Sequence, residues 1–296
     1  MTPIVPDTAV GLVWIFLSIC CSIVVSGMLK LAKRYQVDVF QAIVWNYSAA
    51  ILLSWALLRP QFGHLKDAPI ISYFALGLLL PAIFIILGVS IKLTGIVRTE
   101  MAQRLSLLIS VVAAFFIFSE WPATLKLVGI ALGFVAIVLT IPRENDNKNR
   151  PIKANSWLFL LIVFVGFGII DILFKHISAI KLISYNTSLF FVFVLAFGFS
   201  FLALVYQVAT GKMRFSWPHI FIGWGLGIAN FGNILFYLKA LRVFAKTPST
   251  VFSVMNVGLI VAAALTGFLV FKEKLSLLNK IGIVIAIIAV IIIARS

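Results

Sequence analysis

Ten apolar stretches fill this chain, roughly 9–32, 38–58, 69–91, 95–118, 124–141, 156–177, 183–208, 217–239, 247–271 and 276–294, with short polar breaks between them. Each comes close to the roughly 20 residues that a helix needs to cross the hydrocarbon core of a bilayer. None alternates polar and apolar residues with a period of two. Helices rather than barrel strands are therefore expected, because a backbone in lipid must satisfy its own hydrogen bonds. Composition points the same way. Hydrophobic residues make up 62% of the 296 and charged residues 11%, well under the quarter or so that coats a soluble protein. So apolar a chain is not disordered either. Once the spans are accounted for, no room remains for a soluble catalytic or receptor domain. The expected fold class is an all-α integral membrane protein with ten transmembrane helices.

The remaining composition narrows the function. The net charge of +15 comes from Lys and Arg that sit mostly in the short connections, where they set topology and meet anionic headgroups. No nucleic-acid partner is expected. Cys20 and Cys21 are adjacent, and His64, His176 and His219 lie far apart, so neither a disulfide nor a metal site is read. No cofactor is expected. The first ten residues carry Asp7 and no basic residue, unlike a signal peptide, so the first stretch is read as a retained helix.

The one polar break of any length, 142–155 (PRENDNKNRPIKAN), divides the chain into five stretches and five. The halves, 1–141 and 156–296, correspond internally. Placing Glu120 on Glu273 puts Gly129 on Gly282 and Gln103 on Asn256; nearer the start of each half, Lys30 falls on Lys175 and Gln41 on Asn186. Two repeats with an odd number of helices must sit in opposite orientations in the membrane, related by an axis in its plane. Such inverted repeats let one set of contacts close a path at one side while its counterpart closes it at the other. That is alternating access, and the chain is expected to be a transporter and not an enzyme.

The segments SEWPATLKLVG (119–129) and FKEKLSLLNKIG (271–282) resemble the drug/metabolite transporter superfamily, in its EamA-type ten-helix branch. In that family a Gly-Glu pair commonly ends the fourth and ninth helices, with a glycine about nine residues on. Glu120 and Glu273 are kept, but Ser119 and Lys272 stand where the family has glycine. The resemblance implies the ten-helix fold and transport as a class. It leaves the cargo open among amino acids, amines, sugars, nucleotide sugars and drugs. The two glutamates themselves read as structural, each just before a helix where a carboxylate meets unpaired N–H groups.

Polar residues inside apolar helices are costly unless they face a cavity or a partner, and five stretches each carry a stripe of them. The first has Ser22, Ser26 and Lys30; the fourth has Glu100, Gln103 and Arg104; the sixth has Asp171 and Lys175. The eighth has Asn230, Asn233 and Tyr237, and the ninth has Ser249, Ser253 and Asn256. Spacings of three, four or seven place each set on one helix face. From these, Lys30, Glu100, Gln103, Arg104, Asp171, Lys175, Asn230, Asn233, Tyr237 and Asn256 are the candidate substrate-binding residues. Two blander roles stand beside that one. Glu100–Arg104 and Asp171–Lys175 would also serve as self-neutralising pairs, and the serines and asparagines as interhelical glue.

A cavity offering both carboxylates and cations suits a zwitterion, so an amino acid or similar small polar metabolite is the expected cargo, probed by Arg104 or Lys30 at one end and Glu100 or Asp171 at the other. A cationic drug or amine exporter is the alternative, and an intramembrane lipid-modifying enzyme a more distant one. No GxxxxGK[ST] motif occurs, so transport is facilitated or ion-coupled, with a proton as the candidate ion. The remaining partners are the lipid bilayer and, for a homodimer rather than a monomer, a second copy. A bacterial cytoplasmic membrane is the expected location. The basic residues near helix ends place 142–155 in the cytoplasm by the positive-inside rule, whereas the family resemblance implies cytoplasmic termini.

Overall fold

The computed structural model describes residues 5–34, 37–62, 68–94, 96–121, 123–140, 156–180, 183–269 and 276–295. Among them helix is the only regular structure, as α1 (Val5–Arg34), α2 (Val39–Leu53), α3 (Ile70–Thr94), α4 (Ile96–Leu105), α5 (Leu107–Phe116), α6 (Thr124–Thr140), α7 (Ser156–Ala179), α8 (Tyr185–Ala209), α9 (Pro218–Val243), α10 (Pro248–Leu269) and α11 (Leu277–Arg295). Within the described residues each expected stretch is mostly helical, the fourth as two helices. Seven helices (α1, α2, α3, α7, α8, α9 and α11) are long and apolar enough to cross a membrane, and α4–α5, α6 and α10 contain shorter apolar helices. This is the pattern of a multi-pass helical membrane protein.

Local chemistry sets the ends. Asp38 caps α2, its carboxylate accepting the N–H groups of Phe40 and Gln41 at 2.9 and 3.2 Å. A π-turn, Ser54–Leu58, carries α2 on to Arg59, which has a left-handed φ of 45°. The fourth stretch breaks at Ser106, whose hydroxyl donates back to the Gln103 carbonyl at 2.6 Å and so competes with the helical ladder. Pro81 does not interrupt α3. Proline is tolerated within membrane helices when neighbouring turns and side chains satisfy the freed backbone groups.

The packing is reciprocal between the two halves. α1 lies along α9 and α7 along α3; α2 packs on α9 and α8 on α3; α2 meets α8, and α6 meets α11. Polar clamps repeat the exchange. Gln41, at the start of α2, donates to the Arg214 carbonyl (2.7 Å) and accepts from the Ser216 N–H (3.0 Å), fastening the α8–α9 loop. Asn186, at the start of α8, donates to the Leu58 carbonyl (3.2 Å), fastening the end of α2. Close approach of α2 and α9 rests on Gly227. A Cβ there would stand 2.7 Å from the Cβ of Ala49 and meet the backbone of Asn46, the small-residue packing that membrane helices use.

Hydrogen bonds also fix which helix ends lie together. Tyr73 at the start of α3 meets Ser188 at the start of α8 (2.7 Å), and Ser72 meets His176 at the end of α7 (3.2 Å). This end of the bundle also holds the α5–α6 and α9–α10 loops.

Candidate functional site

The polar stripe of α9 is the hub. Asn230, Asn233 and Tyr237 each reach toward a different helix. Asn233 accepts the Ser18 hydroxyl of α1 at both its side-chain oxygen (2.7 Å) and its carbonyl (2.9 Å). Tyr237 donates its phenol to Asp171 Oδ1 of α7 at 2.8 Å. Ser110 of α5 donates to the other oxygen, Asp171 Oδ2, also at 2.8 Å. A half-buried carboxylate thus joins α5, α7 and α9, with two hydroxyl donors. The ring of Phe174, edge-on to Tyr237 with centroids 6.2 Å apart, holds the phenol in position.

Asn230 is buried and lines a small cavity with Asn46 of α2, walled by Val25, Ile43, Phe84 and Leu226. A larger hollow of about 400 Å³, bounded by Leu108, Ile109, Val112, Ala113, Phe116, Ile117 and Ile172, has an entirely apolar lining. It fits a furrow for lipid chains better than a site for polar cargo.

A second polar cluster lies nearer the end that holds the α5–α6 loop. Glu120 accepts the Ser249 N–H at 2.9 Å and the Ser249 hydroxyl, both at the start of α10, and pairs with Lys126 of α6 at 3.1 Å. The sequence suggested that Glu120 caps the helix that follows it. It instead accepts the N–H and the hydroxyl of Ser249 at the start of another helix, α10, and the helix that follows it, α6, supplies the cation. Glu273 lies outside the described residues. Ser119, in the position where the resembled family has glycine, adopts a left-handed φ of 52°.

The expected Asp171–Lys175 pair does not form. Lys175, buried at 2% exposure, donates to the Ala245 carbonyl at 2.7 Å and stands 5.8 Å from the centroid of Phe118. An i,i+4 spacing allows contact but does not enforce it, and here each group has a better-placed partner on another helix. The other candidates divide similarly. Asn256 turns back on its own helix, donating to the Phe252 carbonyl at 3.0 Å. Gln103 and Arg104 are half-buried on α4, and Arg104 is already partnered. The side chains of Lys30 and Glu100 lie outside the described residues. In α1 the stripe is displaced by a turn: Ser18 is fully buried while Ser26 is exposed.

Ser110, Ser18 and Asn46 join these polar contacts and cavity without having been among the candidates read from the sequence. For Ser110 a signal existed. Gln103, Ser106 and Ser110 continue the α4 stripe at spacings of three and four, across the break.

An uncharacterized protein of Haemophilus influenzae is 38% identical over 282 residues, covering 92% of this chain and 94% of its own. No family model matches the chain. A protein of known crystal structure superposes with a TM-score of 0.73 over 97% of this chain and 95% of that one, at 14% identity. At that identity the likeness is one of fold.

Proposed function

The chain belongs to the same family as the Haemophilus influenzae protein, and we propose that this family consists of secondary transporters that move a small polar metabolite by alternating access. In this reading ten helices span the cytoplasmic membrane of a bacterium as two inverted five-helix repeats, 1–141 and 156–296, joined by 142–155. The finer assignment is to the EamA-type branch of the drug/metabolite transporters, acting in export.

The observation that carries the proposal is the reciprocal packing of the two halves. Exchanging each helix of the first half for its counterpart in the second turns α1 on α9 into α7 on α3, and the Gln41 clamp into the Asn186 clamp. Interfaces that are alike in kind but of opposite direction have similar energies, so a path between them can be closed at either end at little cost. The Glu120–Lys126–Ser249 and Lys175–Ala245 contacts then act as the closure of one end.

Asp171 is the group we assign to cargo. Its carboxyl group is held by two hydroxyls and no cation within 4 Å among the described residues, which suits a cargo ammonium. An amino acid and a simple amine both carry one. A cargo carboxylate would depend on Arg104 or Lys30, as the sequence suggests. Ligand-dependent thermal stability of the purified protein tests the proposal, with amino acids, polyamines, sugars, nucleotides and cationic drugs as the panel. Stabilisation by amines or amino acids that Asp171→Asn abolishes is the expected result. Stabilisation by amino acids that Arg104→Gln also abolishes selects the zwitterion. Stabilisation by sugars or nucleotides alone, unaffected by Asp171→Asn, removes the assignment of Asp171.

A further inference from the structure

The cavity between Asn46 and Asn230 has a lining unlike the rest of the bundle. Two carboxamides from different helices, α2 and α9, face it among one phenyl ring and three aliphatic side chains, and no ionisable side chain contributes. Asn46 is 2% exposed, and its Oδ1 has no hydrogen-bond partner in the protein. A buried acceptor without a donor costs free energy in any membrane helix, so a donor from outside the chain would be bound favourably here. With no counter-charge in the lining, a full charge would lose its hydration uncompensated. An uncharged O–H or N–H would lose far less and would satisfy the orphan acceptor.

We propose that the Asn46–Asn230 cavity is a cargo subsite for a neutral hydrogen-bond donor, a hydroxyl end carried on an amine or amino acid. The inference rests on the transport reading for the identity of the cargo. Space and register agree with it. At about 10 Å³ the cavity admits one group the size of a water or hydroxyl. Asn230 and Tyr237 are seven residues apart on one face of α9, a rise of about 10 Å, so the neutral subsite and the Asp171 carboxylate lie along the same helix face. A cargo that engages both must carry its ammonium and its neutral donor up to about 10 Å apart.

The experiment compares pairs of probes that differ by the neutral donor and are long enough to reach both subsites: 6-hydroxynorleucine against norleucine, 6-amino-1-hexanol against hexylamine, and 7-amino-1-heptanol against heptylamine. Each is titrated in thermal-stability assays of the wild type and of Asn46→Leu. The donor-bearing member should stabilise the wild type at a roughly fivefold lower half-saturating concentration, the scale of one added hydrogen bond. The preference should vanish in Asn46→Leu. Apolar members that bind as tightly, or a preference that survives Asn46→Leu, overturn the proposal.

The variant's own melting temperature decides between cargo and a permanently held water, and needs no ligand. Removing an orphan acceptor should raise it by about 2–4 °C. A lower melting temperature, or failure to fold, means that the carboxamide is satisfied structurally, and also overturns the proposal. If no compound of the wider panel stabilises the wild type, the cargo reading fails by itself, and the melting temperature of Asn46→Leu still decides the subsite.

Discussion

Glu120 and Lys126 are both almost fully buried, at 4% and 3% exposure, and their ion pair is 3.1 Å long. Replacing Glu120 with glutamine keeps a side-chain oxygen for the Ser249 donors but leaves the Lys126 ammonium without a counter-charge. Breaking a buried pair from one side costs about 3–5 kcal/mol, and the retained hydrogen bonds put this variant near 3 kcal/mol. For a domain of this size that corresponds to a fall in melting temperature of roughly 6–12 °C. Lys126→Met leaves the carboxylate with two donors from Ser249, so its cost is smaller, about 1–2 kcal/mol. The double variant Glu120→Gln/Lys126→Met removes both charges and should be no less stable than Glu120→Gln alone. The coupling energy would then be at least about 1–2 kcal/mol. Thermal unfolding of the four proteins in one detergent measures it. Single variants that each change the melting temperature by under about 1 °C, with additive effects in the double, would show that the pair behaves as an exposed one. The reasoning about closure of that end would then be wrong.

Three further outcomes follow from particular contacts. Asp171 and Lys175 have separate partners, so Asp171→Asn and Lys175→Met should be additive in stability within about 0.5 kcal/mol; a larger coupling energy would restore the ion pair that the sequence suggested. Ser119→Gly relieves a left-handed residue and should be neutral or stabilising by up to about 1 kcal/mol, whereas a clear loss would mean that the Ser119 side chain is needed. Gly227→Ala should cost about 1–3 kcal/mol by forcing α2 and α9 apart, while Gly27→Ala on α1, where nothing lies within 4 Å of a new Cβ, should be tolerated; the two melting temperatures give the comparison.

The helical, apolar character was legible because a bilayer imposes length and apolarity on every crossing, and among the described residues seven helices are long and apolar enough to cross. The α9 stripe was legible for a related reason. Asparagine and tyrosine at spacings of three and seven inside an apolar helix must face something, and Asn230, Asn233 and Tyr237 all do. What they face was not legible. Asp171 has one partner at sequence separation 61 and another at 66, and only the packing of α5 and α9 against α7 brings them together. The local i,i+4 rule offered Lys175 as a partner because it knows nothing of Ala245. Glu120 was misread for the same reason: a carboxylate before one helix caps whichever N-terminus packing places beside it. Asn46 escaped notice because a lone polar residue in an apolar helix belongs to no stripe.

Alternating access is the central claim, and distances at the two ends of the bundle test it most directly. In a Cys20→Ser/Cys21→Ser background, spin labels on Trp121→Cys and Lys246→Cys report the end closed by Glu120, across the two halves. Leu93→Cys and Lys212→Cys report the opposite end; all four positions are exposed. Pulsed dipolar spectroscopy in liposomes should show two distance populations for each pair, the long one at one end rising as the long one at the other falls. Glu120→Gln should shift the balance toward an open Glu120 end. A single distance at each end, unchanged by Glu120→Gln, would contradict the account.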